Sequence, residues 1–175
     1  VFGGHPVKAT AMGGRQTRTD AIYGHIFDHF AVEYEYADGR RLTSYCRQQD
    51  GTTSKVAEAF QGTKGRSNGY DTIEGPNAWK HAPLQGMNPY VEEHRDLVAS
   101  IRAGKPLNEG HQIVESNLTA ILGREAAYTG QTLTWDDLIK SSLSILPKEW
   151  AFGTMPVPAV PTPGETTLMR TFNEG

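Results

Sequence analysis

His29-Phe30-Ala31-Val32-Glu33-Tyr34-Glu35-Tyr36, then Ala37-Asp38-Gly39, then Arg40-Arg41-Leu42-Thr43-Ser44-Tyr45-Cys46-Arg47, is the stretch whose reading decides the fold. Successive side chains of a strand point to opposite faces. Phe30, Val32, Tyr34 and Tyr36 therefore share one face, and His29, Ala31, Glu33 and Glu35 share the other. Asp38-Gly39 is the signature of a tight hairpin, because glycine tolerates the positive φ such turns need. On the return strand Leu42, Ser44 and Cys46 alternate with Arg41, Thr43, Tyr45 and Arg47. Outward from this hairpin, Val7–Met12 reads as a strand closed by Gly13-Gly14. Arg15 to Gly24 reads as a polar loop. Lys55–Phe60 reads as a further strand running into the turn Gly62-Thr63-Lys64-Gly65, and shorter strands fall near 69–73 and 79–81. Tight turns join only antiparallel neighbours, so these pieces predict an antiparallel sheet.

The period then changes. Asn88 caps and Pro89 opens a helix along which Tyr90, His94, Leu97, Val98 and Ile101 share a face, and Gly104 and Pro106 end it. A second helix is expected from about Gly110 to Thr129, stopped by Gly130. A short third begins at Trp135, with Thr134 as its cap and Asp136-Asp137 at the positive end of the dipole. Strands first and helices afterwards predict an α+β fold, an open, mostly antiparallel sheet with helices packed on one face. The expected organisation is one domain over 1–147 and a Pro-rich tail over 148–175, whose Met155–Gly164 run lies across a surface or hangs free. The row His29, Glu33, Glu35 beside Thr43, Tyr45 and Arg47 is polar enough to face water and mixed enough to face a partner or substrate.

Composition removes several classes. The 175 residues are 37% hydrophobic and 21% charged, ordinary for a globular domain. A net charge of −3 offers no general attraction to nucleic acid or an anionic membrane surface. No apolar run approaches the roughly 18 residues of a membrane-spanning helix. The single cysteine, Cys46, excludes an internal disulfide and says nothing of compartment. Val1-Phe2-Gly3-Gly4-His5-Pro6 enters a strand after a short turn, without an initiator Met or signal peptide, and reads as the middle of a longer gene product.

Chemistry-bearing residues gather around the loop before the strand that starts at His29. His25 and His29 are four apart with Asp28 between them. On a helix that spacing grips zinc, but Gly24 precedes it and an alternating strand follows. The competing reading is a polar loop-to-strand junction, where histidine and an ionised aspartate orient a hydroxylated substrate. Arg15-Gln16 and Arg47-Gln48 each follow a strand, and serve carboxylate or sugar-hydroxyl recognition or, alternatively, sheet-end salt bridges. Cys46 aligns with Leu42 and Ser44 and His94 lies on an apolar stripe, so both read as core. No dinucleotide fingerprint is present. On their own these residues describe a binding or assembly domain without a complete catalytic set.

Several segments taken in order resemble one family. They are Gly4-His5-Pro6-Val7, Gly13-Gly14-Arg15-Gln16, Tyr23 through Asp28-His29-Phe30-Ala31-Val32-Glu33-Tyr34, Cys46-Arg47-Gln48, Gly62-Thr63-Lys64-Gly65, Asn88-Pro89-Tyr90-Val91-Glu92-Glu93-His94, Ser100 through Glu109, and Gly130-Gln131-Thr132-Leu133-Thr134-Trp135. Together they resemble the C-terminal domain of the glucose–fructose oxidoreductase / inositol dehydrogenase (Gfo/Idh/MocA) family, bacterial-type branch, over about residues 1 to 165. The resemblance implies a two-domain parent in which a Rossmann domain, absent from this segment, holds NAD or NADP. Hydride then passes between the cofactor and a sugar or cyclitol carbon, and a Lys or His moves the hydroxyl proton. The family's Glu-Lys-Pro motif and its catalytic Asp/His helix would lie upstream of Val1. The resemblance therefore carries no catalytic residue onto this segment, implies no nicotinamide bound to it alone, and leaves it inactive by itself. Arg15, His25, Asp28, His29, Arg47 and Gln48 remain as expected pocket lining, and the open sheet face as the expected homo-oligomer contact. The competing functions are a non-enzymatic module that self-associates through the sheet, and a zinc hydrolase using His25, Asp28 and His29. Substrate identity, NAD against NADP, and localisation are not legible here.

Overall fold

The computed structural model describes residues 2–82, 88–147 and 150–169. Val1, and residues 148–149 and 170–175 of the expected tail, lie outside the described residues. In chain order the elements are β1 (Lys8–Gly14), β2 (His29–Glu35), β3 (Arg41–Arg47), β4 (Phe60–Gly62), β5 (Gly65–Ser67), β6 (Thr72–Glu74), β7 (Trp79–Lys80), α1 (Pro89–Ala103), α2 (Gly110–Thr129), β8 (Leu133–Thr134) and α3 (Trp135–Ile139), with a 3-10 turn at Ala21–Tyr23. They divide into two compact units, residues 1–50 with 109–175, and residues 51–108. The Pro-rich stretch belongs to the first.

The first unit carries a four-stranded sheet in the order β3-β2-β1-β8, every pair antiparallel. Its hairpin turns at Gly39, where φ is 84°, and Tyr36 N donates to Arg40 O at 2.9 Å across the neck. One face is covered as the alternation requires. Ala9, Val32, Tyr34 and Tyr36 are buried with Leu122, Ala126, Leu133 and Leu138, while Phe27 and Tyr128 meet edge to face at 4.7 Å beside Ala127. Leu122, fully buried, contributes on the order of 1.5–3 kcal/mol. α2 approaches this face so closely at Gly123 that a Cβ there would overlap the Tyr34 hydroxyl and stand 2.9 Å from Val32 Cγ1. From Leu122 to Thr129 nearly every residue of α2 is buried, whereas its first turns are exposed. The Pro-rich stretch helps cover the buried end: Pro161 is buried, and Gly164 N donates to Thr129 O at 2.8 Å. Only the end of that run, at Pro161 and Gly164, makes this contact; Met155 and Val157 are exposed. The third helix has its expected cap, with Thr134 Oγ1 accepting from Asp137 N and the Asp137 carboxylate accepting from Thr134 N.

The second unit holds a short meander in the order β4-β5-β6-β7, and α1. Asn68 organises the turn between β5 and β6 by accepting from the backbone N–H groups of Tyr70, Asp71 and Thr72. α1 starts and stops where the residues predict: Asn88 Oδ1 accepts from Tyr90 N at 3.0 Å, and Gly104 adopts the left-handed conformation.

The α+β class and the open antiparallel sheet are as expected, but four details differ. The strands form two sheets rather than one. Residues 55–59 are irregular and only Phe60 of the expected Lys55–Phe60 strand is paired, because the turn after Gly62 closes a ladder just three residues long; Val56 is left 97% exposed. Cys46 is exposed, not core: it has the register of Phe30, but lies on an edge strand beyond the helical cover. His94 is also exposed, since no residue of α1 is buried, and its Nδ1 lies 2.7 Å from the carbonyl of Tyr90 on its own helix.

Candidate functional site

The uncovered face of the first sheet is built in rows set by strand register. At one end lie Lys8, Glu35 and Arg41, linked by ion pairs of 3.2 and 3.4 Å. Thr10, Glu33 and Thr43 follow, then Met12, Ala31 and Tyr45, and finally Gly14, His29 and Arg47. Met12 is 76% exposed and Tyr45 79%, so the third row is an apolar stripe facing outward between polar ones.

The last row lies where β1 ends, β2 begins and β3 ends, so register and loops bring together the neighbourhoods of all six expected site residues. At its centre is Asp28, 2% exposed. Its Oδ2 accepts from the backbone N–H groups of Gln16, Thr17 and Arg18 at 2.8, 2.6 and 2.9 Å, and from the Thr17 hydroxyl at 3.3 Å. Its Oδ1 lies 2.8 Å from His29 Nδ1. Its own backbone bridges the neighbouring strand ends, N–H to Gly14 O at 2.9 Å and C=O from Gln48 N at 2.8 Å. Burial by itself pushes this carboxyl up. The N–H of Arg18, the His29 ring and the N–H groups of Thr17 and Gln16 together outweigh it and hold Asp28 well below the usual carboxylate range. Three successive N–H groups aimed at one point make an anion nest, and here the anion is the protein's own.

The other expected residues divide by what they touch. Arg15 donates to the carbonyls of Gly24 and Asp20, the latter at 2.9 Å, and so pins the 20–24 loop rather than reaching outward. Gln48 takes part through its backbone, its carbonyl accepting from Arg18 Nε at 3.1 Å, while its side chain is exposed. His25 is half-buried in the loop, Arg47 is exposed directly across from His29, and the His29 side chain is 38% exposed. Arg18 was not legible as a member. It joins the loop to Asp50 at 3.2 Å and stacks over Tyr23 at 5.1 Å, and only the polar run Thr17-Arg18-Thr19-Asp20 hinted at it. Among the described residues no group of three His, Cys, Asp or Glu side chains is placed to hold a metal ion. His25, Asp28 and His29 are not gathered in that way.

No protein-family profile matches this chain, and no curated protein is similar to it. Its fold has a solved counterpart. An oxidoreductase from Agrobacterium radiobacter, in complex with NAD+, L-tartaric acid and magnesium, matches over 79% of this chain with a TM-score of 0.55 and 15% sequence identity. This chain spans 45% of that protein. The likeness is one of fold: an open-sheet α+β arrangement that occurs within an oxidoreductase.

Proposed function

We propose that this chain is the substrate-binding and assembly part of an NAD(P)-dependent oxidoreductase acting on a sugar or cyclitol, and that the nucleotide-binding domain lies elsewhere in the parent protein. The observation that carries this reading is the shared fold with less than half of an oxidoreductase of known structure. The ordered motifs from Gly4-His5-Pro6 to Thr134-Trp135 support the same family.

The loop after Gly13-Gly14 does not supply the family's dinucleotide cradle. A pyrophosphate needs a glycine-rich turn that opens a helix, whereas Gly13-Gly14 leads into a loop whose N–H groups at 16–18 are already taken by Asp28. In this reading the cofactor's hydride chemistry belongs to the parent's nucleotide-binding domain. This chain's contribution is the polar sheet end around Asp28, which shapes the substrate side of the site, and the apolar Met12–Ala31–Tyr45 row, which meets a second copy. An isologous contact would place that row against itself across a two-fold axis.

Fluorescence titration with NADH is the first test. The 175-residue chain is expected to show no micromolar affinity, while the full gene product binds NADH and reduces NAD+ or NADP+ in the presence of a polyol. A full gene product that neither binds nicotinamide nor turns over would favour the non-enzymatic assembly module instead.

A further inference from the structure

We propose that His29 is a hydroxyl-binding residue of the substrate site, held by Asp28 as the Nδ1-protonated tautomer so that Nε2 is offered as an acceptor at the Gly14–His29–Arg47 row. The substrate class rests on the oxidoreductase reading; the tautomer does not. An ionised carboxylate only accepts hydrogen bonds. With Oδ2 spent on three backbone N–H groups and Oδ1 2.8 Å from Nδ1, the proton between Asp28 and His29 must come from the ring. In the neutral form of the ring, which has one N–H, Nε2 then carries the lone pair.

The position of the ring fits that use. It leans over Gly14, where an added Cβ would stand 3.1 Å from Cε1 and 3.3 Å from Nε2, so the bare strand end leaves room for it. Nε2 has no hydrogen-bond partner among the described residues, although the other side of the ring is fixed. Arg47, directly across on β3 and on the same face, brings only donors. An acceptor beside a donor matches neighbouring hydroxyls of a polyol: one donates to Nε2, and the next accepts from the guanidinium.

Asp28→Asn separates this role from simple loop support. The amide oxygen can keep the backbone N–H groups while the NH2 turns to His29 and donates to Nδ1, which moves the ring proton to Nε2 and converts an acceptor into a donor. Long-range 1H–15N NMR on the 15N-histidine-labelled 175-residue chain at pH 8 reads the tautomer directly. Wild type is expected as Nδ1–H and Asp28→Asn as Nε2–H. Titration with myo-inositol and D-glucose is expected to shift the wild-type His29 Nε2 signal, with affinity falling about tenfold in Asp28→Asn, the worth of one well-placed hydrogen bond. His29→Ala, which leaves the three backbone bonds of Asp28 in place, is expected to lose binding equally, and it decides the matter should Asp28→Asn not fold. A wild-type Nε2–H or averaged tautomer, a His29 signal unmoved by both polyols, or undiminished binding by either variant would overturn the proposal. Polyol binding at His29 in a gene product without NAD(P)-dependent turnover would sustain it and sink the oxidoreductase reading.

Discussion

Removing the Asp28 carboxylate should unpin the end of the sheet, and the size of the effect follows from its contacts. It accepts three backbone N–H bonds and one from His29, all between 2.6 and 2.9 Å. Hydrogen bonds to an ionised group are each worth about 1.5–3 kcal/mol net. Gln16 and Thr17 are exposed, so water can take over part of the bonding once the carboxylate is gone. For Asp28→Ala the expected loss is about 3 kcal/mol at pH 7, or roughly 6–12 °C in Tm for a chain of this size. Asp28→Asn, which keeps an oxygen for the N–H groups, should lose about 1–2 kcal/mol. The sign with pH is fixed by the direction of the shift. The folded carboxyl titrates below its unfolded value of about 3.9. Its stabilisation is therefore complete above about pH 5 and fades as pH falls through the unfolded range toward the folded pKa. Urea unfolding followed by circular dichroism at pH 7, 5 and 3 should show wild type and Asp28→Ala far apart at pH 7 and 5 and closer at pH 3. A gap that stays constant from pH 7 to 3, or one below about 0.5 kcal/mol at pH 7, would refute the reasoning.

Three further outcomes are expected. Gly123→Ala should cost about 2–4 kcal/mol by forcing α2 off Tyr34 and Val32, and Tyr34→Phe should recover part of that loss in the double variant, read from denaturant midpoints. Ultraviolet titration should find a tyrosine that stays protonated until about pH 12, because burial, aided by neighbouring Tyr36, pushes the Tyr34 hydroxyl up to about 12; the high-pH step should vanish in Tyr34→Phe. Met12→Glu together with Tyr45→Glu should abolish the proposed self-association in analytical ultracentrifugation while leaving the circular dichroism spectrum unchanged, since both side chains are exposed on the isolated chain.

The parts of the fold legible in the sequence were those decided locally. Alternation in 29–36 placed Val32, Tyr34 and Tyr36 inside, Asp38-Gly39 set the hairpin, and Asn88, Gly104, Gly130 and Thr134 marked helix ends where the backbone chemistry requires them. What escaped depended on which face another element covers. Cys46 and His94 have core-like spacing, but burial is a property of the neighbour, and among the described residues no element covers either. The Lys55–Phe60 pattern lacked a ladder partner for the same reason. At the site, the residue types around Asp28 were legible as polar and convergent. Their division of labour was not, because a carboxylate that caps a nest and one that binds a ligand have the same spelling. Arg15 reads as a ligand contact by type and serves as a loop staple by geometry.

The most direct measurement of the central claim compares the 175-residue chain with the full gene product in one NADH fluorescence titration, followed by a polyol-dependent NAD(P)+ reduction assay. The expected result is no nicotinamide affinity in the shorter protein, and both binding and turnover in the longer one. Micromolar NADH binding by the 175 residues alone, or neither activity in the full gene product, would contradict it.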